Sequence, residues 1–249
     1  MPSLRLLTDS FSDDPALDAA VSRAIMFRVA AGELPETLRI AHPGATVAFA
    51  KRDAVAEGYE EAVRAAREHG FEATLRLAGG RAAVFHDGGM EIGHAVPDEE
   101  PRAGIHDRFR HTADRLARAL RQLGVDARVG EVAGEYCPGR YSVNARGAVK
   151  IAGIGQRVVG GGSHTGVVLV VEGEDRINAV LEPVYAALGL DWRPEASGSV
   201  RTEVPSAAWK AVRDAIVTEY AREYDLVEGS VDPETLALAQ SLAGEHRVE

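Results

Sequence analysis

Val149-Lys-Ile-Ala-Gly-Ile-Gly-Gln-Arg-Val-Val159, then Gly160-Gly-Gly-Ser163, then His164-Thr-Gly-Val-Val-Leu-Val-Val171 follow one another without a gap. The first segment reads as an extended run, the second as a loose turn and the third as an apolar return strand. Lys150 stands inside a strand that is otherwise apolar, and an ammonium is expensive to bury unless an anionic group meets it. Ala152, Gly153 and Gly155 leave room beside it. On spacing alone, the competing reading is an edge-strand lysine that points to water.

Outward from this hairpin, helices alternate with strands that often succeed one another directly. Asp14-Pro15 reads as a helix start, since Asp14 can accept free backbone N–H groups and Pro15 sits where its missing donor costs nothing. Leu17, Val21, Ala24, Ile25 and Val29 then recur at helical spacing over about 15–31. Short extended runs follow at 38–41 and 46–50, a helix at about 57–69 closed by Gly70, and strands near 73–76, 82–85 and 91–96. Ile105, Phe109, Leu116, Leu120 and Leu123 mark a long amphipathic helix closed by Gly124. A further helix over about 174–188 ends at Gly189. Residues 196–200 resemble a linker, and the remainder reads as two helices, about 206–224 and 232–243. The pattern predicts a mixed sheet covered by helices rather than a strict doubly wound one.

Composition narrows the function. The 249 residues carry 28 Lys+Arg against 38 Asp+Glu, a formal charge of −10. Such a chain is a poor candidate for sequence-independent nucleic-acid binding, which needs a cationic surface to release phosphate counterions. No apolar run approaches the roughly 20 residues that cross a bilayer, and the first ten residues lack the pattern of a signal peptide. One cysteine, Cys137, excludes an internal disulfide and fits a reducing, cytoplasmic setting. The histidines show neither a His-Glu-x-x-His pattern nor paired cysteines, so no metal site is expected. Serine-hydrolase and P-loop signatures are also missing.

Three constellations remain. Arg76-Leu-Ala-Gly79-Gly80-Arg81-Ala-Ala-Val84-Phe-His86-Asp87-Gly-Gly89 places adjacent glycines between two strands, where backbone amides can approach a ligand, with two arginines beside them. Its bland reading is a hairpin with solvated arginines. The Lys150 strand is the second. The third is Gly134-Glu-Tyr-Cys137-Pro-Gly-Arg140, a loop thirteen residues ahead of Lys150. A cysteine near a lysine can have a lowered pKa and act as an acyl acceptor, though a lone cysteine is more often an inert small hydrophobe.

Taken in order, these segments resemble the biotin/lipoate protein ligase superfamily, in its lipoate-protein ligase and octanoyltransferase branch. The Arg76–Gly89 stretch is similar to that family's Arg-Arg-x-x-Gly-Gly-Gly-x-Val-x-His-Asp-x-Gly motif, with a shorter glycine run. Lys150-Ile-Ala-Gly153-Ile-Gly-Gln156-Arg157 and His164-Thr-Gly166 match its Lys-x-x-Gly-x-x-x-Arg and His-x-Gly strands. The upstream strand ending in Lys51-Arg52 is also similar. The resemblance covers about 15–190. It implies an α+β sandwich of the class II aminoacyl-tRNA synthetase/biotin synthetase-like type, with a mixed, largely antiparallel sheet flanked by helices. It further implies a catalytic domain over 1–195 and a short helical appendix over 196–249.

The implied activity is attachment of a lipoyl or octanoyl group to a lysine of a lipoyl domain or glycine-cleavage carrier protein. Lys150 would stabilise the reacting carbonyl or phosphate. Arg76, Gly79, Gly80, Arg81, Val84, His86, Asp87, Gly153, Gln156, His164 and Gly166 would bind substrate. Two mechanisms stay open: an ATP- and magnesium-dependent ligase working through lipoyl-AMP, and an ATP-independent transferase using Cys137 as a thioester nucleophile with an acyl carrier protein as donor. A third reading is a non-catalytic acyl- or carrier-binding subunit. Lys51-Arg52 and Arg76-Arg81 would form a basic docking patch for an acidic acceptor.

Overall fold

The computed structural model describes residues 1–249. β1 (Ser3–Leu7) leads into α1 (Pro15–Ala30), which starts where Asp14 and Pro15 predict, with Asp14 Oδ1 accepting the Leu17 amide at 3.1 Å. β2 (Thr37–Ala41), β3 (Thr46–Phe49), α2 (Tyr59–Glu68), β4 (Glu72–Leu75), β5 (Ala83–Phe85) and β6 (Gly89–Pro97) follow. Next come α3 (Ile105–Gln122), β7 (Ala127–Val129), β8 (Val143–Ala145), β9 (Val149–Val159), β10 (Gly162–Val170) and α4 (Glu174–Ala187). The chain ends with α5 (Val200–Glu203), α6 (Trp209–Ala221), β11 (Asp225–Gly229) and α7 (Pro233–Leu242). Gly70, Gly124 and Gly189 close α2, α3 and α4 at φ +78°, +97° and +63°, the left-handed conformation that glycine adopts without a Cβ penalty.

Eight strands form the main sheet in the order β11-β1-β2-β6-β10-β9-β8-β7. β11–β1 and β1–β2 pair in parallel, and every other pair in this sheet is antiparallel. The expected mixed, largely antiparallel sheet flanked by helices is therefore the one observed. A second sheet, β4-β3-β5, stands beside it. Three apolar clusters join the layers. One packs α3 and α6 against the main sheet through residues such as Leu116, Leu120 and Ile216, and a second packs α2 and α4 against the small sheet. The third seats α1 and α7 on Leu7 and Ala95. No helix is long and apolar enough to cross a membrane.

The segment after residue 195 departs from its expectation. Ala196–Val200 is no loose linker but a packed segment: Gly198 N donates to Lys150 O at 2.9 Å, and a Cβ on Gly198 would lie 2.5 Å from Val149 Cγ2. The two expected helices are present as α6 and α7, but a strand, β11, separates them and joins the edge of the main sheet beside β1. Its five residues are mostly exposed, so no apolar alternation marks them, and their partner lies at the opposite end of the chain. Short β7 at the other edge is equally silent in the pattern.

α1 also buries charge. Asp18 and Arg39 of β2 form an ion pair with side chains 5% and 3% exposed, with Ser22 and Glu91 alongside. Burial works against the Asp18 carboxylate, but Arg39 holds it below the usual range; Glu91, desolvated and next to Asp18, is pushed well above its own. Removing one partner of a buried pair strands the other charge. Asp18→Ala is therefore expected to cost about 3–5 kcal/mol, read as a lowered urea midpoint, whereas an exposed pair such as Asp107–Arg110 should cost under about 1 kcal/mol when broken.

Candidate active site

The site is assembled where the 131–142 loop, the β4–β5 connection and β9 converge. Glu135, fully buried, organises the loop. Its carboxylate accepts the Val132 amide at 3.0 Å, the Gly139 amide at 2.9 Å, the Ser142 hydroxyl at 2.6 Å and Lys150 Nζ at 3.2 Å. Lys150, 2% exposed, commits its other donors to Tyr136 O at 2.9 Å and Cys137 O at 2.8 Å. Its ammonium also lies 5.0 Å from the centre of the Tyr136 ring. The anion that a buried lysine requires is thus Glu135, which the sequence offered only as one acid in a glycine-bearing loop.

Cys137 has φ +43°, a left-handed backbone that non-glycine residues seldom adopt. Its Sγ accepts the Arg81 amide at 3.2 Å and stands 3.6 Å from Arg76 Nη1. Burial disfavours the thiolate. The charges of Arg76 and Lys150, with hydrogen bonds from the Arg81 amide and Arg76, outweigh it and hold the thiol below its usual range. Gly80 makes this approach possible: at φ +124°, any Cβ there would lie 2.9 Å from both Cys137 Sγ and Arg76 Nη1.

A cleft of about 330 Å³ opens in front of these groups. Gly79, Gly80, Gly153 and Gln156 line it together with Cys137 and Lys150, and Ile105, Phe109, Ile154 and Val158 supply apolar wall. Gln156 is fixed by donating to Ile105 O at 2.9 Å. At Arg76 and Val168 the cleft meets a second chamber, bounded by α1, the small sheet and β10. His164 and Gly166 line this inner chamber, not the cleft. Burial pushes His164 down to about 4, so the ring is neutral near pH 7. Glycines flank that ring: a Cβ at Gly93 would come within 2.7 Å of Nε2, and one at Gly166 within 3.2 Å of Cε1.

The remaining expected residues lie elsewhere. Val84 is a core residue of β5. His86 is buried in the turn before β6, where Nδ1 accepts the Gly88 amide at 3.1 Å, and Asp87 is exposed and pairs with Arg176 at 2.7 Å. None of the three lines the cleft or the chamber. Arg76 and Arg81 are not a docking patch either. Arg76 faces the sulfur and donates to Arg81 O at 2.8 Å, and Arg81 reaches buried Asp53 at 3.1 Å. Of the expected basic patch, Lys51 and Arg52 are exposed, Arg52 also donating to Gly80 O.

Because Arg76 supplies the largest lowering influence on the thiol, Arg76→Met should raise the pH midpoint of Cys137 alkylation. Alkylation near neutral pH should slow in proportion. A midpoint that stays put would remove Arg76 from this role. With one cysteine in the chain, the mass gain reports Cys137 alone.

Comparison with known proteins follows the same geometry. The fold superposes on a crystal structure of lipoate-protein ligase A bound with ATP at a TM-score of 0.79, covering 98% of this chain and 95% of that one at 19% identity. An octanoyl-[GcvH]:protein N-octanoyltransferase of Geobacillus kaustophilus is 30% identical over 179 residues, covering 70% of this chain and 63% of that protein. A lipoyl-[GcvH]:protein N-lipoyltransferase of Listeria monocytogenes is 25% identical over 181 residues, with the same two coverages of 70% and 63%. The chain thus spans less than two thirds of the length of these curated relatives. The family model of the lipoyl protein ligase A/B catalytic domain matches residues 14–204, the stretch that carries the small sheet, the main sheet apart from β1 and β11, the cysteine loop and the lysine strand, and the chain belongs to that family.

Proposed function

We propose that this protein moves a medium-length acyl group, octanoyl or lipoyl, between lysines of carrier proteins by way of a thioester on Cys137. One observation carries the reading: the only thiol of the chain lines a cleft with apolar wall, and Arg76, Lys150 and the Arg81 amide hold its pKa below the usual range against burial. Relatives named for octanoyl transfer from GcvH, the glycine-cleavage carrier, to another protein support it.

The chemistry balances without an external activator. Sγ attacks the acyl-amide carbonyl of the donor lysine, the C–S bond forms, and the C–N bond breaks as the departing amine takes up a proton. The neutral amine of the acceptor lysine then attacks the thioester, the thiolate leaves, and the new amide sheds a proton. One amide is exchanged for another, so the overall reaction is close to thermoneutral. ATP and magnesium, with a lipoyl-AMP intermediate, belong to the alternative ligase route, and an acyl carrier protein would serve as donor if the incoming group were itself a thioester.

Each residue then has a task. Arg76 and the Arg81 amide favour the thiolate, which both supplies the nucleophile and makes it a better leaving group in the second step. Lys150 acts across the Cys137 peptide, since its three donors are engaged by Glu135 and by the carbonyls of residues 136 and 137. Gly153, Gly155 and Gln156 form the floor of the cleft. The acyl chain lies along Ile154 and Val168 toward the inner chamber, each buried methylene contributing about 0.8 kcal/mol.

Incubation with octanoylated carrier and no ATP should add one octanoyl group to the intact mass, and Cys137→Ser should show none. Lys150→Ala should lose the adduct as well, through the collapsed loop. If Cys137→Ser instead transfers lipoate at the parent rate with strict ATP dependence, the ligase route is the correct one.

A further inference from the structure

Tyr185 on α4 lies outside every motif that pointed to the site, yet its hydroxyl joins the two halves of the thiol's surroundings. It accepts the Cys137 amide at 2.9 Å and donates to Ala82 O at 2.9 Å. Ala82 directly follows Arg81, whose amide is the donor to Sγ. One hydroxyl therefore spans from the nucleophile's own backbone to the peptide next to the sulfur's hydrogen-bond donor.

Cys137 is pinned at both ends. Its N–H goes to Tyr185 from α4, and its C=O takes Lys150 from β9. A residue at φ +43° persists only when its surroundings over-determine it. Tyr185 is itself fixed, 2% exposed and edge-on to Trp192 with ring centres 5.7 Å apart, so the strut cannot swing aside. Its two partners are backbone groups, the half-buried Cys137 amide and the buried Ala82 carbonyl.

We infer that Tyr185 is a positioning residue for acyl transfer, a strut that keeps the Cys137 loop in register with the Arg81–Ala82 segment so that Sγ meets the Arg81 amide and Arg76. The inference rests on the thioester reading, and it deepens that reading by naming the group that aims the nucleophile. Tyr185 does not itself line the cleft; it acts through the backbone of Cys137 on one side and of Ala82 on the other. Nothing in the local pattern marks it, because a helical tyrosine with apolar neighbours has the pattern of a core residue.

The test compares the pH profile of Cys137 alkylation by iodoacetamide in the full-length protein, Tyr185→Phe and Tyr220→Phe. Tyr220 is an equally buried tyrosine, packed near Arg115 in the α3–α6 cluster and lining neither the cleft nor the second chamber. Tyr185→Phe should raise the midpoint by about one pH unit, and so slow alkylation about tenfold below it, while Tyr220→Phe leaves it unmoved. An unshifted midpoint in a folded Tyr185→Phe overturns the strut, as does an equal shift in Tyr220→Phe.

A second measurement needs no variant. [15N]cysteine labelling gives a single amide resonance, because the chain has one cysteine. Protection of that amide from solvent exchange is expected, and exchange as fast as an exposed loop amide overturns the proposal. Alkylation and exchange involve no acyl transfer, so these failures differ from failure of the thioester route, which Cys137→Ser with full transfer activity would reveal.

Discussion

A buried ion pair, Lys150 with Glu135, is the constraint on which the site depends. Both side chains are essentially inaccessible, at 1% and 0% exposure, so each charge has lost its water. A bare pair in that position would do little for stability, since desolvation can exceed the Coulomb gain. Here hydrogen bonds complete both ions: two backbone amides and a serine hydroxyl on the carboxylate, and two carbonyls on the ammonium. Every one of those partners belongs to the 132–142 loop. The pair thus converts a segment with little regular structure into a rigid support, and the strain at Cys137, of the order of 1–3 kcal/mol for such a backbone, is held inside it.

The second sheet places the other half. β4 ends at Leu75 and β5 begins at Ala83, so the 76–82 connection leaves the small sheet toward the cysteine loop. Glycines decide how near it comes. A side chain at Gly80 would collide with the sulfur and with Arg76, and one at Gly155 would lie 2.9 Å from Ala78 Cβ. Buried Asp53 anchors the Arg81 guanidinium, leaving the Arg81 backbone amide facing Sγ. The arginines expected to meet a partner at the surface are committed to internal order instead.

What the sequence disclosed follows from how local each signal is. Asp14-Pro15 and the terminal glycines Gly70, Gly124 and Gly189 state helix limits within a few residues, and the β9–β10 pair is announced by its own glycine turn. Lys150 and Cys137 could be suspected because each breaks the pattern around it. β1 and β11 are short and pair across nearly the whole chain, so no local window contains their reason for being strands. Glu135 and Tyr185 look ordinary for the same reason: their partners are backbone groups supplied by other elements. His86-Asp87 shows the converse, a motif match that lies away from the cleft and the chamber. The turn uses the imidazole to bind its own backbone. The His-x-Gly strand was also located correctly in the chain, though its histidine faces the inner chamber and its glycine makes room for the ring.

If Cys137 carries the acyl group as proposed, the opposed influences on its thiol bear on both steps of the transfer. Cations alone would give a stable but sluggish thiolate, because nucleophilicity falls as thiol pKa falls. Burial alone would leave a neutral thiol. In this cleft, desolvation removes the water that would stabilise the anion, and Arg76, Lys150 and the Arg81 amide outweigh that loss, so the thiol sits below its usual range. The net effect is a lowering that burial opposes, which favours the thiolate and also makes it easier for the sulfur to depart from a thioester. A carrier that gives up its acyl group and a carrier that receives it place opposite demands on the same atom, and only an intermediate thiol strength serves both.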